Sequence, residues 1–175
     1  MKRKQKAARA SRVPRPDAVL TEIVRNAAVA ITEEMKTNLM RSAYSMIIYE
    51  AQDFTVGLFD AIGDTVSIGI GLPTFIRGMS DTVKAMIDHF GHGGMEPGDV
   101  LVTNDAYITG SHLNHITLAV PVFRDGQLTG FTACMAHWQD IGGALNTVTR
   151  DICSEGLQLP ILKIHRRGRV NEDVV

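Results

Sequence analysis

The sequence predicts an α+β fold with a long N-terminal helix, β-hairpins and a mixed sheet. Three observations support this class: an apolar stripe at helical spacing near the start, strand-like segments joined by short turns after residue 53, and no repeated strand–helix–strand units. A chain of 175 residues is long enough to bury a core, and its 45% hydrophobic and 21% charged content is ordinary for a globular protein.

The first predicted helix begins after Asp17, because aspartate is a favoured residue at the N-cap of a helix. Apolar residues follow at spacings of one, three and four, which predicts a single buried stripe on a helix that continues to about Tyr44. The stripe consists of Leu20, Ile23, Val24, Ala27, Ile31, Met35 and Leu39. Charged residues occupy the opposite face. We therefore expect this helix to act as scaffold.

The later elements are strands interrupted by one further helix. Strands are predicted over residues 54–59, 65–70, 100–103, 116–123 and 128–137, and a helix near residues 75–90. The last two strands flank Asp125-Gly126, which is a strong hairpin signal. This order of elements favours strands that follow one another directly over strands that alternate with crossover helices.

The net charge of −1 conceals an uneven distribution. Residues 1–16 contain seven of the 18 basic residues and no acid, so the rest of the chain has 11 bases against 19 acids. We interpret residues 1–16 as a disordered basic tail, because the acidic remainder would repel a nucleic acid or an anionic membrane. Two cysteines without CxxC spacing, and no apolar run of signal-peptide or membrane-spanning length, favour a cytoplasmic protein.

Polar residues that could carry chemistry concentrate between residues 104 and 143. This window holds three of the six histidines: His112, His115 and His137. Imidazole nitrogens and carboxylate oxygens are the usual ligands of a catalytic divalent metal. The three histidines are therefore candidate metal ligands. The alternative is that His112 and His115 are turn residues bonded to the backbone and His137 merely ends a strand.

The register of the predicted hairpin returns His137 to the His112–His115 segment. With a two-residue turn, His137 faces Asn114 across the hairpin. With one more residue on the loop, which a bulge next to the Asp-Gly turn makes plausible, His137 stands directly opposite His115.

Short motifs along most of the chain occur in a characteristic order. They are DFTVGLFD at 53–60, PGDV at 97–100, NDAY at 104–107, GSHL at 110–113, AHWQDIGG at 136–143 and EGLQLP at 155–160. Together they resemble the hydantoinase B/oxoprolinase family, which includes N-methylhydantoinase B, oxoprolinases and subunits of acetone and acetophenone carboxylases. The resemblance implies that residues 17–175 are the N-terminal part of a longer domain, truncated here.

The resemblance to the acetone carboxylase branch implies metal ligands at His112, His115 and His137. The family motif has an aspartate where this chain has His115. A neutral imidazole in place of a carboxylate would shift the preference from manganese toward zinc, or would mark a subunit that has lost its metal. Asp140 and Asp105 are the candidate catalytic carboxylates, which could orient a histidine or bind the metal directly.

The resemblance also implies an ATP-coupled reaction shared between two subunits. A hydantoinase A-like partner would bind ATP and phosphorylate the carbonyl oxygen of a small-molecule substrate. The metal-bearing subunit would then complete hydrolysis of a cyclic amide, such as a hydantoin or oxoproline, or carboxylation of a ketone. The sequence contains no GxGxxG or Walker motif, which agrees with ATP binding on the partner.

Two alternatives to this function remain open at the level of sequence. One is a non-catalytic structural subunit of such a complex, and the other is a free-standing metal-dependent amidohydrolase. The chain is not expected to turn over substrate alone, because a site assembled from later segments of the longer domain would be incomplete.

Overall fold

A seven-stranded sheet organises the computed structural model, which describes residues 17–73, 76–143, 149 and 151–174. Its strands are β1 (Phe54–Asp60), β2 (Thr65–Ile70), β3 (Val100–Thr103), β4 (His115–Arg124), β5 (Gln127–His137), β6 (Leu162–Arg166) and β7 (Arg169–Val170). Their spatial order is β2-β1-β5-β4-β3-β6-β7. The predicted basic tail, residues 1–16, lies outside the described residues.

The α+β class is confirmed, with one correction to the predicted mixed sheet. Every described pair of neighbouring strands is antiparallel. Short turns join β1 to β2, β4 to β5 and β6 to β7, and such turns can connect only antiparallel strands. The chain from β2 to β3 passes through the helix Ile76–Phe90, but these two strands are not neighbours in the sheet.

The described residues include four α-helices: α1 (Ala18–Ser42), α2 (Met46–Tyr49), α3 (Ile76–Phe90) and α4 (Ala106–Thr109). Asp17 caps α1 as predicted, and its side chain accepts a hydrogen bond from the Val19 N–H at 3.0 Å. The helix ends two residues before the predicted Tyr44. Within the described ranges, no helix combines the length and the apolarity that a bilayer crossing requires.

Successive side chains of a strand point to opposite faces of the sheet, and here each face is covered by a helix. On one face α3 packs against the largest cluster of buried residues: Phe59, Met79, Val83, Met86, Met95, Leu101, Ala119, Phe131, Ala133, Met135 and Ile161. On the other face Met35 and Leu39 of α1 pack against a smaller cluster that includes Phe54 and Val56. The α3 side therefore supplies most of the described core.

The predicted buried stripe of α1 is wrong from Leu20 to Ile31. Leu20, Ile23 and Ile31 are 57%, 59% and 47% exposed, whereas the first buried residue of the helix is Ala28. Burial begins only where the helix reaches β2, and Thr32 there bonds Ser67 at 2.9 Å. Helical periodicity identifies an apolar face, but the extent of the sheet beneath it decides how much of that face is covered.

The β4–β5 hairpin combines both registers considered from sequence. Asp125 and Gly126 form a two-residue turn with φ values of 52° and 77°, so the strands begin with Arg124 opposite Gln127. A bulge between Val122 and Phe123 then shifts the pairing by one residue. From that point to the far end of the hairpin, the register is the one that sets His115 opposite His137.

Candidate metal centre

Three chain segments meet at the end of the sheet farthest from the Asp125-Gly126 turn. His115 is the first residue of β4, His137 is the last residue of β5, and Asp53 immediately precedes β1. The backbone N–H of His137 donates to the Asp53 carbonyl at 3.1 Å, which extends the pairing of β1 with β5 by one step. The antiparallel ladder thus places two histidines and one aspartate together.

The structure brings all three predicted histidines into one cluster. The ring centroids of His112 and His115 lie 4.2 Å apart, and the His137 ring lies 5.1 Å from the first and 5.3 Å from the second. His115 is buried, His137 is half-buried and His112 is exposed. The cluster therefore has one side toward the protein interior and one side toward solvent.

Asp53 is the residue of this site that sequence reasoning missed. Its Oδ1 lies 3.0 Å from Nε2 of His115, and its side chain is only 17% exposed. On the other side of the same ring, the Ser111 Oγ lies 2.6 Å from Nδ1. Asp53 is the first residue of the DFTVGLFD motif, which is one of the motifs that carry the family resemblance. The motif does not indicate that β1 lies beside β5, so it could not place Asp53 near the histidines.

Burial keeps the central imidazole of this cluster neutral at physiological pH. The pKa of His115 is lowered to about 4, mainly by desolvation and to a smaller extent by the nearby His112 and His137, against the opposing hydrogen bond and charge of Asp53. Burial also lowers the pKa of His137, again against the influence of Asp53. A neutral imidazole is the form that binds a cation.

His137 has a buried ring nitrogen that is available as a ligand. Among the described residues, its Nδ1 has no hydrogen-bond partner. A buried polar atom without a partner costs about 1–3 kcal/mol, so a bound ion at this nitrogen would relieve a real penalty. The two nitrogens and one carboxylate provided by His112, His137 and Asp53 match the ligand types of zinc and manganese sites.

The candidate ligands lie close together, but their donor atoms do not converge on one point. Among the described residues, no group of three or more His, Cys, Asp or Glu side chains has its donor atoms placed to hold a metal ion. The reason lies in the hydrogen bonds of His115, which direct its two ring nitrogens toward Asp53 and Ser111. The residues fit a divalent metal in kind and number, and binding would require the rings to turn.

Asp105 and Asp140, the predicted catalytic carboxylates, bind the backbone of their own turns. Asp105 caps α4 by accepting from the Tyr107 N–H at 3.0 Å. Asp140 is exposed and accepts from the Gly142 N–H at 3.2 Å. No contact described for this part of the chain joins either aspartate to the histidines, and their catalytic role stays a prediction.

An apolar cavity on the other face of the sheet is lined in part by residues that adjoin the cluster in sequence. Its volume is about 390 Å³, and Ile116, Leu118 and Trp138 contribute to its lining. Ile116 follows His115 in β4, and consecutive strand residues point to opposite faces. The cavity and the histidine cluster are therefore on opposite faces, and Trp138 is a cavity wall that remains 47% exposed.

Comparison with known proteins identifies relatives along the whole described chain. Residues 17–175 match the family model described as hydantoinase B/oxoprolinase. The beta chain of caprolactamase from Pseudomonas jessenii is 31% identical over 163 residues, which are 91% of this chain and 28% of that protein. 5-Oxoprolinase 1 of Arabidopsis thaliana is 33% identical over 161 residues, 90% of this chain and 13% of that protein.

Solved structures agree with this result. The ATP-dependent caprolactamase from Pseudomonas jessenii superposes with a TM-score of 0.79 at 27% identity, covering 91% of this chain and 28% of that one. The nucleotide-free structure of acetone carboxylase gives a TM-score of 0.80 at 21% identity, over 89% of this chain and 21% of that one, which shows the fold alone. The chain spans less than a third of the length of these relatives.

Proposed function

This chain belongs to the hydantoinase B/oxoprolinase family, and from that membership we propose that it carries the divalent-metal site of an ATP-dependent enzyme that hydrolyses a cyclic amide. The observation that carries the proposal is the convergence of His112, His115 and His137 with Asp53 at one end of the sheet. The unpartnered Nδ1 of His137 supports a ligand at this point.

The substrate class follows from the names of the relatives. Those at 30% identity or more include a caprolactamase component, 5-oxoprolinases and a putative D-/L-hydantoinase component from Pseudomonas sp. strain NS671. Each name refers to hydrolysis of a cyclic amide. Carboxylation of a ketone has weaker support, because the acetone carboxylase structure shares only the fold with this chain.

Zinc or manganese at this site would supply Lewis-acid polarisation of a carbonyl and a water of lowered pKa. His137 and His112 would hold the ion through their neutral imidazoles, and His115 would join them after its ring turns from Ser111. Asp53 would contribute the negative charge that offsets a divalent cation. Burial of His115 keeps competing water away from the inner side of the cluster.

Proton transfer in this scheme falls to carboxylates on the solvent side. Asp140 and Asp105 are our candidates, because both stand on turns adjoining histidine-bearing segments, Asp140 exposed and Asp105 half-buried. Their contribution is a proposal from their position in the chain.

The partner in this proposal is a hydantoinase A-like subunit that would bind ATP. The caprolactamase and hydantoinase relatives are both named as subunits, which supports a hetero-oligomeric complex. Phosphorylation of the substrate on the partner would precede hydrolysis here. We propose a cytoplasmic location for the complex, in keeping with the free thiols of Cys134 and Cys153.

Metal analysis of the purified chain tests the site. After incubation with zinc or manganese and removal of excess ion, we expect about one metal per chain, lost in His137→Ala and retained in the control His89→Ala. His89 is an exposed residue of α3 that contacts Phe90. Absence of stoichiometric metal from the unaltered chain would contradict the proposal.

An activity assay with the partner subunit, run with and without ATP, tests the alternative of a free-standing amidohydrolase. Such an enzyme would keep its activity when ATP is omitted.

A second candidate is a non-catalytic structural subunit of the same complex. The observation in its favour is the hydrogen-bonded series Ser111, His115 and Asp53, which satisfies both nitrogens of the central imidazole without a metal. This candidate predicts a metal-free chain that still associates with the ATP-binding partner.

A further inference from the structure

We propose that Asn104 and Glu155 are positioning residues that set the placement of His112 by holding the peptide groups of Leu113 between them. The inference concerns the loop that carries two of the three histidines. The predicted effect on metal affinity rests on the proposed function. The predicted effect on the placement of the imidazole rings does not.

Leu113 is anchored on both sides of its backbone. Its carbonyl accepts a hydrogen bond from Nδ2 of Asn104 at 2.8 Å, and its N–H donates to Oε2 of Glu155 at 3.0 Å. Its side chain is fully buried. His112 precedes this residue directly and His115 follows two positions later, so the anchor lies inside the loop that displays both rings.

Asn104 is a fully satisfied buried amide. Besides Leu113, its Nδ2 donates to the Leu157 carbonyl at 2.8 Å, and its Oδ1 accepts from the Leu159 N–H at 2.6 Å. The residue is completely buried at the end of β3. It therefore ties the histidine loop to the segment around residues 157–159, and loss of any one bond leaves a buried polar group without a partner.

Glu155 is held in place by its own surroundings. It follows a 3-10 turn at Ile152–Ser154 that Asp151 caps, and Thr149 donates to its Oε1 at 3.3 Å. Gly143 packs so closely that a Cβ atom there would overlap the Glu155 carbonyl oxygen. The carboxylate thus reaches Leu113 from a backbone that has little freedom to shift.

His137 depends on none of these contacts. It lies at the end of β5, where pairing with His115 and the hydrogen bond to Asp53 fix its backbone. His115 shares that ladder, and the neighbouring Asn114 accepts a hydrogen bond from the Trp138 N–H at 2.8 Å. His112 lies outside the ladder, in a turn where the His115 N–H donates to the His112 carbonyl at 3.1 Å. Disturbing Asn104 or Glu155 should therefore move His112 more than His115 or His137.

The experiment compares Glu155→Ala, Glu155→Gln and Asn104→Asp with the unaltered chain. Glutamine keeps an oxygen that can accept from Leu113, whereas Asn104→Asp replaces a donor by an acceptor that faces two carbonyls. The imidazole resonances of the metal-free chains are recorded by NMR, and zinc affinity is measured by competition with a chelating dye. If Asn104→Asp does not fold, Glu155→Ala carries the test, because that side chain is only half-buried.

We expect Glu155→Ala and Asn104→Asp to shift the resonances of His112 more than those of His115 and His137, and to weaken zinc binding by roughly tenfold to a hundredfold. Glu155→Gln should restore most of both properties. Unmoved His112 signals, or equal movement of all three histidines, would overturn the proposal. If the resonances respond as expected but the unaltered chain binds no zinc, the positioning role stands and the proposed function fails.

Discussion

His115 and His137 face each other directly across β4 and β5, with ring centroids 5.3 Å apart. The two-residue turn alone would have set Asn114 in that position. The bulge near Val122 supplies the single-residue shift, and Thr129, the extra residue on β5, donates from its Oγ1 to the Val122 carbonyl at 2.9 Å. A local irregularity some distance along the hairpin thereby determines which residue stands beside His137.

Replacement of His115 by aspartate introduces the residue that the motif resemblance implies at this position. The change would place a second carboxylate beside Asp53, and two facing carboxylates attract a cation more strongly than an imidazole does. We expect the ratio of zinc to manganese affinity to fall, on the order of tenfold, because carboxylate oxygens suit manganese better. Metal loading in mixtures of both ions measures this ratio.

His89→Asp is the control for that experiment. It makes the same chemical change at an exposed position of α3, outside the histidine cluster. An unchanged ratio in His115→Asp, or an equal change in His89→Asp, would contradict coordination by residue 115.

The stability of the metal-free chain should fall as the pH decreases from about 6.5 toward about 4. The pKa of His115 is lowered from 6.5 to about 4, so in this window the unfolded chain binds a proton that the folded chain excludes. Stability is therefore full above the unfolded pKa and declines by at most about 1.4 kcal/mol per pH unit below it. Urea unfolding at a series of pH values gives the slope.

His115→Gln isolates this effect from the titration of the carboxylates. The amide retains hydrogen-bonding capacity but does not titrate, so the difference in unfolding free energy between the two chains should depend on pH. A difference that stays constant between pH 6.5 and 5 would show that His115 titrates normally in the folded state.

Asp99 should be a strong determinant of stability. Its side chain is 1% exposed and accepts from Lys163 Nζ at 2.6 Å and from the N–H groups of Glu96 and Arg167 at 2.9 and 3.0 Å. Burial alone would raise the pKa of Asp99, but these donors outweigh it and lower the pKa. Asp99→Asn should cost about 3–5 kcal/mol in thermal or urea unfolding, because Lys163 loses its charged partner.

Glu96→Gln provides the comparison for Asp99→Asn. The Glu96 side chain pairs with Arg167 at the surface, where the two side chains are 43% and 73% exposed. Such an exposed pair contributes about 0–1 kcal/mol. Equal losses from the two variants would show that the buried pair has no special role.

Gly69→Ala should loosen the contact between α1 and the sheet. A Cβ atom at Gly69 would stand 2.5 Å from the Thr32 carbonyl oxygen and 2.8 Å from a Val56 methyl, so the helix must move away from β2. We expect a loss of about 1–3 kcal/mol in unfolding free energy. The control Gly93→Ala adds the same methyl where nothing lies within 4 Å and should have little effect.

Local patterns were sufficient for the elements that depend on neighbours in sequence. The cap at Asp17, the length of α1 and the Asp125-Gly126 hairpin all follow from short-range hydrogen bonding and backbone preferences. The exposure of Leu20 and Ile23 did not follow, because an apolar helix face is buried only where another element lies against it. The resemblance to the family, carried by ordered motifs, is confirmed over residues 17–175.

The sequence by itself determined which side chains are candidate ligands of a cation, since residue type and spacing select His112, His115 and His137, and metal binding by them stays a prediction. Only the tertiary structure decided that Asp53 joins them, because β1 and β5 are adjacent in the sheet although five strands and α-helices, from β2 to β4, separate them along the chain. Strand pairing at this distance depends on how the whole sheet buries its two faces, and that balance is a property of the folded chain rather than of any local segment.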